Sequence, residues 1–263
     1  WQAAAMTTTP EGIPCWYELG TSDLTAASAF YADVLGWTIA DAGMPGMDYR
    51  LGTATDGGMV SGMMALEGGQ AAPPPYWLIY FTTEDCDARV AAITEAGGSV
   101  IAAPADIPGT GRFAVAADPQ GAVFGLLQPL PMDAPAEHPA FDQQAPGHGN
   151  WHELMSSDPE AGLAFYAEQF GWTKGDTMDM GEMGTYQIFG SGGQDLGGMM
   201  GLGNSPVSAW LPYFGSTGID QSIERIIAGG GTIHHGPAEV PGGAWIGLAT
   251  DPQGAWFAVV GPR

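Results

Sequence analysis

Apolar and polar residues alternate over short stretches along most of the chain, and this pattern predicts many short strands. Two clear examples are WYELGTSD, which begins at Trp16, and WHELMSSD, which begins at Trp151. A segment with apolar residues at helical spacing follows each one, so the Ser-Asp pair at the junction predicts a helix start. We expect these helices to end at Gly36 and Gly171, because a left-handed cap suits glycine.

The chain repeats itself, and the repeat sets the order of its elements. FYADVLGW, which begins at Phe30, matches FYAEQFGW, which begins at Phe165. DPQGA occurs at Asp118 and again at Asp251. Within each half, a strand, a helix and a glycine turn recur before the last strands. Each half is therefore predicted to be a βαβββ module used twice.

The repeat also predicts the domain organisation. We expect one domain at residues 10–130, a linker rich in proline and alanine at 131–145, and a second domain at 146–262. Residues 1–9 are predicted to be a tail. Within it, residues 1–5 are interpreted as an addition in front of a natural start at Met6.

Composition and charge narrow the range of molecules that the protein could bind. The chain has 263 residues, a formal net charge of −23 and only six Lys plus Arg, so nucleic acid and anionic membranes should be repelled. No apolar run approaches the roughly 18 residues of a membrane span, and no signal peptide is apparent. Two cysteines without a CxxC pair indicate neither a disulfide framework nor a zinc knuckle. A cytoplasmic protein is expected.

The repeated motifs resemble a known superfamily. The pattern D-x(6)-FY-x(4)-GW, a glycine pair after the second helix, and DPQG before the last strand are similar to the vicinal oxygen chelate superfamily. That group includes glyoxalase I, bleomycin-resistance proteins and extradiol dioxygenases. The resemblance implies an α+β chain with two tandem glyoxalase/bleomycin-resistance domains. Each would pair two βαβββ modules into a cup-shaped mixed sheet with helices on the convex side.

The resemblance also implies where a divalent metal would be bound, on the first, fifth and last strands of a domain and on an inner strand. The inner-strand position has only Glu67 nearby, in a predicted loop. The other positions fall on residues without a donor atom for a metal: Trp16, Trp151, Gly125 and Ala258, and, to within one residue, Leu78 and Leu211. We therefore expect no metal and no other cofactor.

Glu18 and Glu153 are the polar residues that the repeat places beside these tryptophans. Each lies two residues after its tryptophan, and a strand brings such residues to one face. Three interpretations stay open: a carboxylate held by a Trp or Tyr donor or by backbone N–H groups, a contact to a ligand, or a catalytic acid or base. A further hypothesis pairs Glu18 with Arg112, which would close the first domain and leave the second as the binding domain. His152 is expected on the opposite face.

Aromatic and methionine side chains are expected to line the two cups together with these carboxylates. Trp offers a rigid stacking face, and Met adapts to varied shapes. The predicted ligand-binding residues are Trp16, Glu18, Tyr49, Met63, Trp77, Trp151, Glu153, Tyr186, Met199, Trp210, Trp245 and Trp256. An acidic aromatic cup suits an aromatic ligand that carries an amine.

We therefore interpret the chain as a metal-free protein of the glyoxalase/bleomycin-resistance fold that binds a small aromatic, neutral or cationic molecule. It would sequester an antibiotic or assist a natural-product pathway, as a monomer or homodimer. The alternative is a lyase, isomerase or oxygenase that uses a non-standard metal site or Glu18 or Glu153 as acid or base. A third possibility is two filled cups with a surface used for assembly.

Overall fold

The structure is a computed structural model that describes residues 9–263, so the predicted tail lies outside the described residues apart from its last residue. The described part contains four α-helices: α1 (Leu24–Leu35), α2 (Cys86–Glu95), α3 (Pro159–Phe170) and α4 (Ile219–Ala228). The first half supplies strands β1 (Pro14–Thr21), β2 (Thr38–Asp41), β3 (Tyr49–Thr53), β4 (Met59–Ala65), β5 (Tyr76–Thr82), β6 (Ser99–Ile107), β7 (Gly111–Ala117) and β8 (Val123–Pro129). The second half supplies β9 (Gly149–Ser156), β10 (Thr173–Asp179), β11 (Thr185–Ser191), β12 (Gln194–Gly201), β13 (Ala209–Gly215), β14 (Thr232–Glu239), β15 (Trp245–Thr250) and β16 (Trp256–Gly261).

The strands form two eight-stranded mixed sheets with the same order. The first is β2-β3-β4-β1-β5-β8-β7-β6, and the second is β10-β11-β12-β9-β13-β16-β15-β14. In both, the first strand of a module pairs in parallel with the last, as β1 does with β4 and β9 with β12. The predicted α+β class and the βαβββ modules are confirmed.

The first helix of each half begins and ends as the sequence predicted. The Asp23 side chain accepts a hydrogen bond from the Ala26 amide at 3.0 Å, and Asp158 accepts one from Ala161 at 3.0 Å. These caps satisfy amides that have no partner inside the helix. Gly36 and Gly171 close α1 and α3 with φ of 71° each, in the left-handed region that favours glycine.

The chain divides into two compact units by its contacts. The first unit contains residues 9–15, Ile79–Glu137 and His152–Trp210, and the second contains Trp16–Leu78, His138–Trp151 and Leu211–Arg263. Each unit therefore combines chain from both halves of the sequence. The domain bounds at 10–130 and 146–262 stay a prediction.

Within the second unit, the repeated motifs form one buried hydrogen-bonded group. The Tyr31 hydroxyl, from FYADVLGW, donates to the Asp251 carboxylate, from DPQGA, at 2.7 Å. The Trp77 indole N–H donates to the same hydroxyl at 2.9 Å. Burial, followed by the charge of Asp251, raises the pKa of Tyr31, while burial also raises the pKa of Asp251. The FY and DPQG motifs thus hold the core together through a buried hydrogen bond.

The first unit contains the matching group. Tyr166 donates to Asp118 at 2.9 Å, and Trp210 donates to the Tyr166 hydroxyl at 3.0 Å. In each unit, the tyrosine comes from one half of the sequence and the aspartate from the other.

Among residues 9–263, no helix is both long enough and apolar enough to cross a membrane.

Candidate functional site

Strand pairing decides which residues lie on the same side of the first module as Glu18. Arg50 on β3 donates to the Ser28 hydroxyl on α1 at 3.1 Å, so Arg50 and its β4 partner Met63 face the helix. Glu18 pairs with Gly62, the neighbour of Met63, and successive residues of a strand face opposite sides. Glu18 therefore lies on the side away from α1. We call this surface, with Trp16, Glu18, Tyr49, Gly62 and Met64, the Glu18 face.

Three side chains of the Glu18 face form a hydrogen-bonded chain. The Trp16 indole N–H donates to the Tyr49 hydroxyl at 3.1 Å, and that hydroxyl donates to Glu18 Oε2 at 2.8 Å. All three side chains are partly exposed. Burial, together with the charge of Glu18, raises the pKa of Tyr49, which keeps its hydroxyl protonated as a donor. The carboxylate is therefore held by a tyrosine donor, which is the first of the three interpretations drawn from the sequence.

Gly62 makes room for this arrangement. A methyl group at Gly62 would overlap the Tyr49 hydroxyl and ring, so only glycine lets the tyrosine lie flat over β4. Gly198 does the same for Tyr186 in the second half. In each inner strand, the glycine directly before the Met-Met pair thus leaves the space in which a tyrosine ring lies.

Tyr76 also belongs to the Glu18 face, although sequence reasoning missed it. A methyl group at Gly20, which shares a strand face with Glu18, would lie 2.8 Å from the Tyr76 ring. Burial, and then the charge of Glu18, raises the pKa of Tyr76. The sequence held an indication, because Tyr76 lies two residues before Leu78, a position expected to face the cup.

The second half contains an equivalent but more closed surface. A methyl group at Gly162 on α3 would contact Leu154, so Leu154 faces the helix and Glu153 faces away. The Tyr186 hydroxyl donates to Glu153 Oε2 at 3.0 Å. Glu153 is 8% exposed and Tyr186 is 5% exposed. Burial of a carboxylate is costly without a donor, which explains the tyrosine.

The two halves therefore differ in accessibility. The surface around Glu153, which we call the Glu153 face, also contains Gly198 and Met200. On it the acid and its tyrosine are buried, whereas on the Glu18 face they are partly exposed. Trp151, two residues before Glu153 in β9, is partly exposed. The first half thus offers the more accessible acidic surface.

Predicted cup residues on β4, β5, β12 and β13 face the helices instead, so their expected placement was wrong. Met63 is fully buried on the α1 side, and Met199, which pairs with Leu154, is fully buried on the α3 side. Trp77 and Trp210 bind the core hydroxyls of Tyr31 and Tyr166, as described above. The sequence does not fix the register between strands. In the observed register, Met64 lies on the same face as Glu18 in place of Met63, and Met200 lies on the same face as Glu153 in place of Met199.

The two tryptophans of the last strands differ from each other. Trp245 shares a strand face with Gly247, whose added methyl group would contact Ile223 on α4. Trp245 therefore lies on the helix side, with the Arg263 guanidinium 4.5 Å from its ring centre, and its expected placement in the cup was wrong. Trp256 is 48% exposed, and its ring lies 4.2 Å from that of His234. A stacking role for Trp256 stays a prediction.

The predicted partner of Arg112 was wrong, whereas the predicted side of His152 was right. Arg112 pairs with Asp87 on α2 at 2.7 Å and with Asp106 at 3.0 Å, so the proposed pairing with Glu18 was wrong. The reason for assigning the ligand to the second domain disappears with it. His152 is fully buried on the side opposite Glu153, as predicted. Its Nδ1 donates to the Leu196 carbonyl at 2.7 Å.

The positions at which the resemblance implies a metal do not suit one. Trp16 directs its indole N–H to Tyr49, and the Tyr80 ring covers Gly125, so that a longer side chain at Gly125 would overlap the ring. Within residues 9–263, no group of three or more His, Cys, Asp or Glu side chains is arranged to hold a metal ion. The donor set of the superfamily's metal site is therefore not reproduced by these residues.

Comparison with known proteins identifies the family. Residues 15–126 match the family model described as Glyoxalase/Bleomycin resistance protein/Dioxygenase superfamily. The anthracycline biosynthesis protein DnrV of Streptomyces peucetius is 31% identical over 269 residues, which cover 97% of this chain and 95% of that protein. The chain belongs to the glyoxalase/bleomycin resistance protein/dioxygenase superfamily.

A second relative supports the same assignment, and a solved structure shows a similar fold. The putative glyoxylase CFP32 of Mycobacterium tuberculosis (strain CDC 1551 / Oshkosh) is 31% identical over 259 residues, which cover 96% of this chain and 95% of that protein. The Mn(II)-bound glyoxalase from Novosphingobium aromaticivorans superposes with a TM-score of 0.66 at 17% identity, covering 95% of this chain and 83% of that one. The second similarity concerns the fold alone.

Proposed function

We propose that this member of the superfamily binds a planar aromatic molecule, neutral or cationic, on the Glu18 face. The observation that carries the proposal is the partly exposed chain from Trp16 through Tyr49 to Glu18. It combines two aromatic rings with a carboxylate whose position is fixed by a hydrogen bond. Such a surface stacks a flat ring and pairs its amine with the acid.

The charge of the chain and the names of its relatives agree with this proposal. A formal net charge of −23 attracts cations and repels anions. DnrV is named as an anthracycline biosynthesis protein, and anthracyclines are planar polycyclic aromatics. A role in binding such a molecule, either in its biosynthesis or in its sequestration, follows from the proposal.

Titration with 9-aminoacridine, a planar cation, tests the proposal. We expect saturable quenching of tryptophan fluorescence and a matching heat in calorimetry. Glu18→Gln should weaken binding by about tenfold, because a charge-assisted contact is worth about 1.5 kcal/mol or more. Tyr49→Phe should also weaken binding, because the carboxylate loses the hydrogen bond that fixes its position. No saturable binding by the unmodified chain would refute the proposal.

Two controls make the result specific. Glu67→Gln removes an exposed carboxylate from the loop after β4 and should leave the affinity unchanged. Acridine-9-carboxylate has the same ring system with the opposite charge and should bind at least tenfold more weakly. If both probes bind equally well, the carboxylate of Glu18 does not select the ligand.

A separate measurement tests the alternative that the protein is an enzyme. The superfamily includes metal enzymes, and Glu18 and Glu153 are the acid or base candidates that the sequence offers. Metal analysis of the purified protein distinguishes the two proposals. About one equivalent of Fe, Zn, Ni or Mn per chain, removed by a chelator together with a measurable activity, would replace the binding proposal with the enzymatic one.

A further inference from the structure

A turn with two exposed methionines occurs once in each half of the chain. The first turn joins β2 to β3 and carries Met44 and Met47, which are 37% and 49% exposed. The second joins β10 to β11 and carries Met180 and Met183, which are 40% and 49% exposed. We call these segments the methionine turns.

The two turns share one backbone hydrogen bond, although their sequences and backbone angles differ. The Met47 amide donates to the Met44 carbonyl at 3.3 Å, and the Met183 amide donates to the Met180 carbonyl at 3.3 Å. The residues between the methionines are Pro-Gly in the first turn and Gly-Glu in the second. The methionines are thus the feature that both turns retain, and they expose apolar surface that a solvent-facing turn does not require.

The second methionine turn lies at the edge of an acidic face, and the first occupies the equivalent place in the strand order of its sheet. Tyr49, which holds Glu18, begins β3 two residues after Met47. In the second half, a methyl group added at Gly203 would lie 3.5 Å from the methyl carbon of Met183 and 3.7 Å from that of Met200, so these two side chains lie close together. Met200 lies on the Glu153 face, so the turn continues that face outward.

We propose that the first methionine turn contacts the outer rings of a ligand whose amine pairs with Glu18, and so selects fused polycyclic ligands over single rings. This inference rests on the proposed function. Methionine suits the task because its long, polarisable thioether packs against aromatic edges of varied shape. A single ring bound at Glu18 has no second ring with which to reach the turn.

A matched series of probes tests the inference. 4-Aminopyridine, 4-aminoquinoline and 9-aminoacridine present the same kind of cation on one, two and three fused rings. For the unmodified protein, affinity should rise along the series. In the double variant Met44→Gln and Met47→Gln, the affinity for 9-aminoacridine should fall about tenfold, while that for 4-aminopyridine should not change.

Met132→Gln is the control, because Met132 is 52% exposed in the segment between the two halves. It should leave all three affinities unchanged. Methyl-labelled methionine gives a second readout by NMR. The Met44 and Met47 methyl signals should shift on addition of 9-aminoacridine, and the Met132 signal should not.

The possible outcomes separate the two proposals. If 9-aminoacridine binds in a Glu18-dependent manner, but the double variant keeps full affinity and the methyl signals do not move, the inference is overturned and the proposed function stands. An equal loss of affinity for all three probes also overturns it, because the turn would then not act on ring number. If the unmodified protein binds none of them, both proposals fail.

Discussion

Acidification should destabilise this protein through His152, and the size of the effect can be worked out. His152 is fully buried on the face of β9 opposite Glu153, and the centre of its ring lies 6.5 Å from that of Phe81. Burial disfavours the charged imidazolium and lowers the pKa of His152 from 6.5 to about 4. The hydrogen bond to the Leu196 carbonyl raises this pKa only in part.

The sign and magnitude follow from proton linkage. Between pH 6.5 and about 4, the unfolded chain binds a proton at this residue and the folded chain does not, so stability falls as the pH falls. With those two pKa values, the free energy of unfolding should decrease by about 2.5 kcal/mol from pH 8 to pH 4.5 through this residue alone. Above about pH 7 the contribution should be constant.

The assay compares urea unfolding of the unmodified chain and of His152→Asn across this pH range. Asparagine can retain the hydrogen bond to Leu196 but does not titrate, so the pH dependence should weaken by about 2.5 kcal/mol. Other groups titrate in both chains, and the difference therefore isolates His152. His234→Asn, at an exposed histidine, is the control. Equal slopes for His152→Asn and the unmodified chain, or protonation of His152 above pH 6 by NMR, would refute the reasoning.

Two further substitutions test the core and the site. Tyr31→Phe removes the hydroxyl that donates to Asp251, and it should lower the free energy of unfolding by about 2 kcal/mol in urea denaturation; an unchanged midpoint would contradict the role assigned to the FY and DPQG motifs. Gly62→Ala should displace the Tyr49 hydroxyl from the carboxylate and weaken binding of 9-aminoacridine, measured by calorimetry. Gly201→Ala, where an added methyl group meets open space, should have no such effect, and equal affinities for the two glycine variants would contradict the prediction.

Local patterns in the sequence determined much of the site. Period-two alternation placed Trp16 and Glu18 on one strand face, and the repeat placed Trp151 and Glu153 in the same way. The hydrogen bonds from Tyr49 to Glu18 and from Tyr186 to Glu153 agree with the first of the three interpretations, while a ligand contact and an acid or base role stay predictions.

The wrong placement of Trp77 conflicts with the alternation of side chains along β5. Trp77 and Leu78 are adjacent in one strand, so they cannot both face the cup. Once Leu78 is assigned to the cup side, Tyr76 joins it and Trp77 must face the helix, where it binds Tyr31. The sequence alone could therefore have predicted that Tyr76, and not Trp77, faces the cup.

What the sequence determined by itself are features that depend on neighbours along the chain: the strands, the helix caps, the βαβββ repeat and the shared faces. The tertiary structure decided which methionine of β4 faces Glu18, because that depends on the register between β1 and β4. It also decided that Tyr31 meets Asp251, a partner 220 residues away. A repeated sequence offers each tyrosine two equivalent aspartates, Asp118 and Asp251, and only the packing of modules from opposite halves selects one of them.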